Sequence, residues 1–225
     1  MKIALLMAAG PVRNGWTNDA PKHLAPIAGK PLIRYTLDQL TNRGLHVIVV
    51  TKNEAVKAVV PHYFEPAKNY WWTETLLSTR ELWEEWTAII NADTVYSNVV
   101  IDMLVEEPGP VVFIGDKVHN EILVFTEEMQ SHVIDAAMVA TAEAERRKAE
   151  KLTKRFKDNY SQGRHTMHFA FYRAIAGLPL VDLEAHVFAQ AIHRLLPAGA
   201  YGHDFDKRRT YLKFLAKHAW ARRAK

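Results

Sequence analysis

The sequence predicts an α/β protein in three layers, with helices covering both faces of a mixed, mostly parallel central sheet. Short apolar runs, which are typical of buried strands, alternate with amphipathic helical patterns along the chain. The 225 residues are enough for a full hydrophobic core, and 48% of them are hydrophobic, which is ordinary for a globular protein. These observations favour a single domain over residues 1–225.

The predicted elements follow one another as β-α-β units through the first half of the chain. Strand-like runs are found at Lys2–Met7, His46–Thr51, Thr87–Asn91, Val111–Ile114, Glu121–Phe125 and Thr166–Phe171. Helical patterns occur at about 31–43, 54–60 and 74–85. Residues 127–163 are predicted as a helical insertion, because 127–157 is rich in helix-forming residues and only 158–163 has the composition of a loop. The last predicted element is a basic helix over 207–225.

The beginning of the chain holds a candidate nucleotide site. The strand Lys2–Met7 ends in Ala8-Ala9-Gly10, which is followed by a polar loop containing Arg13 and then by Lys22. Small residues at such a turn let backbone N–H groups approach phosphate oxygens, and the two cations can neutralise the remaining charge. The pattern therefore predicts that Ala8, Ala9 and Gly10 bind a nucleotide, and that Arg13 and Lys22 are catalytic.

The segment that begins at Pro21 reads Pro-Lys-His-Leu-Ala-Pro-Ile and continues from Lys30 as Lys-Pro-Leu-Ile-Arg-Tyr. It resembles the N-terminal signature of the nucleotidyltransferases that activate sugar phosphates or phosphocholine. The residues that match this signature are Pro21, Lys22, Leu24, Pro26, Ile27, Lys30, Pro31 and Tyr35. The preceding loop differs from the family's, since the second glycine of the family falls at Pro11 or Val12 and the arginine lies one position early.

The resemblance implies a GT-A/Rossmann-like fold and a Mg²⁺-dependent enzyme. In this family a nucleoside monophosphate is transferred from a nucleoside triphosphate to a phosphorylated sugar or small phosphorylated alcohol, and pyrophosphate is released. The segment His119–Glu121 resembles part of the phosphocholine-activating branch, which favours a small phosphorylated acceptor. The identities of the nucleobase and of the acceptor stay open.

Two aspartates are the candidate metal ligands. Asp93 follows the apolar run Ala88–Asn91, and ligands of α/β sheets bind beyond the carboxyl ends of strands. The resemblance implies that Asp93 holds the metal that bridges the triphosphate, and that Asp206 matches a second metal-binding position with Asp204 as its accompanying acid. Mg²⁺ typically takes only one or two carboxylates and keeps other positions for phosphates and water. The alternative for each aspartate is a helix cap or a turn residue.

Two threonines in the segment Tyr70–Ser78 are the candidate contacts to the nucleobase. The family has a polar turn and a helix start at this position, which lie against the base or ribose. Thr73 and Thr75 would then hydrogen-bond the base while a tryptophan covers its face. The alternative is a threonine N-cap surrounded by core aromatic residues.

Positive charge is concentrated at the end of the sequence. Residues 207–225 contain eight Lys or Arg and no acidic residue, so the net charge of +4 leaves −4 for residues 1–206. This predicts a solvated helix face, with nucleic acid or another anionic partner as the less favoured alternative. The chain has no cysteine for disulfide or thiolate chemistry, no signal peptide and no apolar run that could span a membrane, so we expect a cytosolic protein.

Two other functions fit the sequence less well. A glycosyltransferase of the same architecture would use a finished nucleotide sugar, with DNA or another anionic acceptor on the basic tail. Such enzymes usually carry Asp-x-Asp after the middle strand, where this chain has Asn91-Ala-Asp93. A non-catalytic nucleotide-binding protein would explain the missing second glycine, but the retained Arg13, Lys22, Asp93 and Asp206 argue against it.

Overall fold

The computed structural model describes residues 1–10, 15–116, 120–150, 159–181, 183, 188–205, 207–218 and 221. Its strands are β1 (Lys2–Met7), β2 (Pro26–Ile27), β3 (Lys30–Pro31), β4 (His46–Val50), β5 (Tyr63–Phe64), β6 (Trp86–Asn91), β7 (Thr94–Tyr96), β8 (Val111–Gly115), β9 (Asn120–Thr126), β10 (His193–Leu195) and β11 (Gly202–Asp204). Seven of them form the central sheet in the order β10-β8-β9-β6-β1-β4-β5. The remaining strands pair as β2 with β3 and β7 with β11.

The central sheet is mixed and mostly parallel, which confirms the prediction. β1 lies between β4 and β6 and runs parallel to both, with Met7 opposite Val50 on one side and Asn91 on the other. The β4–β5 and β8–β10 pairs are also parallel, whereas β9 runs antiparallel to β6 and β8. Because the carboxyl ends of β1 and β6 lie side by side, the residues that follow Met7 and Asn91 meet at one edge of the sheet.

Helices pack on both faces of this sheet. They are α1 (Leu32–Thr41), α2 (Glu54–Lys57), α3 (Trp72–Ser78), α4 (Asn98–Glu106), α5 (Gln130–Glu150), α6 (Asn159–Ile175) and α7 (Arg208–Lys217), with short 3-10 helices at Lys22–Leu24, Arg80–Leu82, Glu127–Met129 and Gln190–Ile192. Successive residues of β1 point to opposite faces: Leu5 packs in the cluster that includes α5 and α6, and Leu6 in the cluster that includes α1 and α4. The result is the predicted three-layer arrangement. No helix within the described residues combines the length and the apolar character needed to cross a membrane.

The prediction of a strand at Thr166–Phe171 is wrong, because this segment lies inside α6. Its aromatic residues suit a strand in composition, but the segment is part of a longer helix that packs against α5 and the sheet. The buried residues in the described part of this helix are Met167, Ala170, Phe171, Tyr172, Arg173 and Ile175. The predicted loop over 158–163 is also wrong, because α6 already begins at Asn159.

The helix predicted within 127–157 is confirmed over the extent of α5, and residues 151–158 lie outside the described part of the chain. α5 packs along α6 with a face of small buried residues, namely Ala136, Ala137, Ala140 and Ala144. The helix predicted at 74–85 is shorter than expected, because α3 ends at Ser78. Of the basic helix predicted over 207–225, α7 covers Arg208–Lys217, and residues 219, 220 and 222–225 lie outside the described part of the chain.

Candidate active site

An open cleft lies at the carboxyl ends of β1 and β6. The chain on either side of it is fixed by backbone hydrogen bonds: Ala8 N donates to Val50 O at 2.9 Å, and Ala92 N donates to Met7 O at 3.2 Å. These bonds extend the strand pairing by one residue beyond each strand. The turn after β1 and the segment after β6 are therefore held next to each other, as their positions at the strand ends predict.

The predicted phosphate turn forms one edge of this cleft. Ala8 and Ala9 are buried, whereas Gly10 is exposed and a Cβ atom at this position would meet none of the described residues within 4 Å. The backbone at Gly10 thus faces open space that a ligand can occupy. The loop over 11–14 lies outside the described residues, so the role of Arg13 stays a prediction.

Lys22 and Asp93 form an ion pair across the cleft. Each side chain is only 15% exposed, so the two charges compensate each other in a partly desolvated setting. Lys22 begins the 3-10 helix that follows Pro21, and Asp93 follows β6 by two residues. Two residues that the sequence predicted separately, one as a catalytic cation and one as a metal ligand, are thus brought into direct contact.

His23 lies beside this ion pair and was not singled out by sequence reasoning. It lines the cleft while being only 4% exposed, and its Nδ1 has no hydrogen-bond partner among the described residues. Burial lowers the pKa of His23 to about 4, with Asp93 opposing that shift and Lys22 adding to it. The ring is therefore neutral at neutral pH and can donate or accept a hydrogen bond. Its only sequence signal was its place within the motif.

Asp204 reaches the cleft from near the end of the chain. β11 pairs antiparallel with β7 so that Asp204 lies opposite Thr94, and Phe205 N donates to Asp93 O at 3.0 Å. Asp93 and Asp204 both line the cleft, although they are far apart in the sequence. The predicted second metal ligand, Asp206, lies outside the described residues.

The carboxylates at the cleft fit Mg²⁺ by the chemistry of their donor atoms. Asp93 and Asp204 supply oxygens, the ligands that this ion prefers, and the open cleft leaves room for phosphate and water. Three or more His, Cys, Asp or Glu residues that could hold a metal do not come together anywhere in the described parts of the chain.

Aromatic residues form the opposite wall of the cleft. Tyr70, Trp71 and Trp72 all line it, and Trp71 is the residue before the first turn of α3. Trp71 N donates to the Glu74 carboxylate at 3.1 Å, which fixes the start of that helix. Asn69 Nδ2 donates to Ala9 O at 3.0 Å and ties this wall to the phosphate turn.

The two predicted base-binding threonines differ in position. Thr75 lines the cleft, but its hydroxyl donates to Trp71 O at 3.2 Å. Thr73 is fully buried, is not among the cleft residues, and shares a 2.6 Å hydrogen bond with the Thr141 hydroxyl of α5. Neither residue is the helix N-cap considered as the alternative, because that position belongs to Trp71. The structure therefore brings Thr75 to the cleft and turns Thr73 away from it.

Further residues that line the cleft were not predicted as site residues from the sequence. His168 lines it from α6, in a segment that the sequence predicted as a strand. Asn69 precedes the predicted aromatic segment, and its bond to the phosphate turn has no local sequence signal. Of the segment His119–Glu121, only the backbone of 120 and 121 is described, as the beginning of β9.

The chain shares its fold with solved structures that include nucleotidyltransferases. The chain resembles CTP:phosphocholine cytidylyltransferase from Streptococcus pneumoniae with a TM-score of 0.57 and 14% identity, over 96% of this chain and 98% of that one. HddC from Yersinia pseudotuberculosis gives a TM-score of 0.54 and 11% identity, over 96% and 98% of the two chains. A Bacillus anthracis protein assigned as a glucose-1-phosphate thymidylyltransferase gives 0.55 and 10%, over 96% and 95%. No family model and no curated protein matches the sequence.

Proposed function

We propose that the protein is a nucleotidyltransferase. It transfers a nucleoside monophosphate from a nucleoside triphosphate to a phosphorylated sugar or small phosphorylated alcohol and releases pyrophosphate. The observation that carries this proposal is the meeting of Lys22, Asp93 and Asp204 in the cleft next to the turn Ala8–Gly10. Two of the solved structures compared above are a cytidylyltransferase and a protein assigned as a thymidylyltransferase, which supports the same class of reaction.

The reaction joins two anions, so the protein must mainly position them and offset their charge. An oxygen of the acceptor phosphate attacks the α-phosphorus, the bond from that phosphorus to the bridging oxygen breaks, and the electron pair leaves with pyrophosphate. Lys22 is placed to offset negative charge on the triphosphate, and Arg13 is proposed for the same role. The backbone at Gly10 is open for contact with a phosphate oxygen.

The metal part of the proposal rests on carboxylates. Asp93 is proposed to hold Mg²⁺ together with Asp206, and Asp204 is the accompanying acid that lines the same cleft. When bound, Mg²⁺ would neutralise negative charge on the phosphates. Since Asp93 is paired with Lys22, a ligand that binds either group exchanges one ionic contact for another.

Binding of the nucleobase is assigned to the aromatic wall. Tyr70 and Trp72 line the cleft and offer ring surfaces to a planar base, and Thr75 lies within the same wall. Thr73 enters this proposal only as support behind the wall, through its bond to Thr141. The cytosolic setting and the single domain over 1–225 remain predictions, and the reaction requires no nucleic acid on the basic helix.

The test is pyrophosphate release with Mg²⁺, each nucleoside triphosphate in turn and a panel of phosphorylated sugars and alcohols. We expect Asp93→Asn to lower kcat/KM by about 100-fold or more, the effect typical of losing one preorganised charge contact in a site. Asp102→Asn is the matched control, because Asp102 pairs with Arg43 on the surface of α4. Hydrolysis of a nucleotide sugar without pyrophosphate would instead favour the glycosyltransferase, and nucleotide binding without turnover a non-catalytic protein.

A further inference from the structure

Helix α5 contacts the aromatic wall of the cleft from behind. The indole N–H of Trp71 donates a hydrogen bond to the carboxylate of Glu145. Trp71 is only 1% exposed, so its buried N–H needs a hydrogen-bond acceptor, and Glu145 supplies one. A bond between an indole and an ionised carboxylate is charge-assisted and is stronger than one between neutral groups. Glu145 therefore fixes the plane of a ring that lines the cleft.

Lys148 makes the second contact, one helical turn further along α5. Its ammonium group lies 4.5 Å from the centre of the Tyr70 ring and 5.7 Å from that of Trp71. It also lies 3.6 Å from the carboxylate of Glu145, so the two charged residues and the two rings form one connected group. A hydrogen bond with the Tyr70 side chain raises the pKa of Lys148, which keeps the ammonium charged.

The contacts form one stripe along the helix. Thr141, Glu145 and Lys148 are spaced four and three residues apart, which places them on one face of α5. All three reach the segment 70–73: Thr141 bonds the Thr73 hydroxyl, and the other two hold Trp71 and Tyr70. The buried alanines of α5 occupy other positions of the helix, so this stripe is additional to its packing in the core.

The ring that α5 holds is itself packed against its neighbour. Tyr70 and Trp71 meet edge to face, with ring centres 4.7 Å apart and an angle of 79° between the planes. A shift of Trp71 would therefore also displace Tyr70, which is 46% exposed and faces the cleft. The orientation of this wall thus depends on charged groups that do not line the cleft themselves.

We propose that Glu145 and Lys148 are positioning residues, which orient Tyr70 and Trp71 for binding of the nucleobase. This inference rests on the proposed function, in which the wall receives the base of a nucleoside triphosphate. Neither Glu145 nor Lys148 lies near the reacting groups around Lys22 and Asp93. Their substitution should therefore weaken nucleotide binding and leave the rate of the chemical step almost unchanged.

The experiment compares variants of Glu145 in nucleotide binding and in turnover. Glu145→Leu removes the acceptor of the Trp71 N–H, and we expect it to raise both the Kd and the KM for the nucleoside triphosphate by about tenfold, with kcat within about twofold. Glu145→Gln keeps an oxygen acceptor and should restore most of the affinity. Lys148→Met should also raise the KM. Glu143→Gln is the matched control, since Glu143 pairs with Arg146 and Arg147 on the same helix.

A double-mutant cycle shows whether Glu145 acts through Trp71. Trp71→Phe removes the indole N–H, so Glu145→Leu should change the KM by less than about twofold in that background. The inference is overturned if Glu145→Leu leaves the KM unchanged, if Glu143→Gln has an equal effect, or if kcat falls alone. Nucleotide binding by the wild-type protein, followed by tryptophan fluorescence without an acceptor, separates the two proposals. Failure of the wild type to bind overturns the proposed function and this inference with it.

Discussion

Lys22 and Asp93 are each expected to affect both the stability of the protein and its catalysis. Their ion pair is partly desolvated, so removing one partner takes away a charge contact that offsets the desolvation of the other. A variant of either residue therefore tests stability as well as catalysis, and its unfolding free energy should be measured beside its rate. His23 adds a neutral polar ring to the same place, where a second positive charge next to Lys22 would be costly.

His193 should make the stability of the protein depend on pH. The residue is 3% exposed in β10, and its Nδ1 lies 3.3 Å from the Tyr172 hydroxyl. Burial lowers the pKa of His193 below its ordinary value of 6.5. The native state then binds fewer protons than the unfolded chain, so the free energy of unfolding should fall as the pH drops below 6.5.

Urea unfolding of His193→Asn between pH 5 and 8 measures this effect, because asparagine is polar but does not titrate. The slope of the unfolding free energy against pH should become flatter than in the wild type. His46→Asn is the control, since it makes the same exchange at an exposed position. A wild-type slope that persists in His193→Asn would assign the pH dependence to other groups.

Among the elements, β1 and β6 could be predicted and α6 could not. Strands buried on both faces carry uninterrupted apolar residues, and those runs are visible without knowing their neighbours. α6 mixes polar, aromatic and glycine residues, and its helical character follows from packing against α5 and β8. Phe171, for example, meets Phe113 of β8 at 6.0 Å and Trp72 at 5.4 Å, and both contacts are long-range.

The first turn of helix α7 carries positively charged side chains, which the helix dipole disfavours at that end. Arg208 and Arg209 lie in this turn, which itself contains no acidic residue, and Lys217 lies in the last turn. Arg209→Glu should therefore stabilise the protein by about 0.5 kcal/mol, whereas Lys217→Glu should destabilise it by about the same amount. Urea unfolding at low ionic strength measures both changes.

High salt supplies the control for α7, because screening should bring both variants back towards the wild type. The two residues are exposed, so neither change disturbs the core. If both substitutions stabilised the protein equally, the net charge of the basic surface would be responsible and the helix dipole would not. Both variants also allow salt-dependent retention on DNA to be measured while α7 stays complete. Phe214, which lies on the buried side of this helix, then keeps its packing.

At the scale of the whole molecule, the cleft joins regions from both ends of the chain, so a bound nucleotide should stabilise the complete fold. A nucleoside triphosphate at about 100 times its Kd should add about 2.7 kcal/mol. For a protein of this size, that corresponds to an increase in Tm of about 5–10 °C. Lys22→Met should lose most of this increase, because Lys22 is placed to contact the phosphates.

Lys30→Met is the matched control for this measurement. Lys30 belongs to the same segment as Lys22, but it is 54% exposed and pairs with Asp38 on the surface of α1. Its increase in Tm with nucleotide should equal that of the wild type. An undiminished increase in Lys22→Met would place the triphosphate away from Lys22.

The site residues that lie in a local sequence pattern could be predicted. Lys22 lies in a signature, and Asp93 follows a strand, so both positions are visible in the sequence. His168 and Asn69 were not, because their places depend on how α6 and the loop before α3 pack against distant strands. Thr73 was expected to contact the nucleobase, but its hydroxyl forms a hydrogen bond with that of Thr141, a residue 68 positions away.

The bond from Phe205 N to Asp93 O also governs when the cleft can exist during protein synthesis. The ribosome adds Phe205 about 110 residues after Asp93, which takes roughly 5–20 s at ordinary translation speeds. For that time the nascent chain holds Lys22 and Asp93 but lacks the strand that carries Asp204. A nucleotide that binds the complete cleft can therefore assist only the final step of folding.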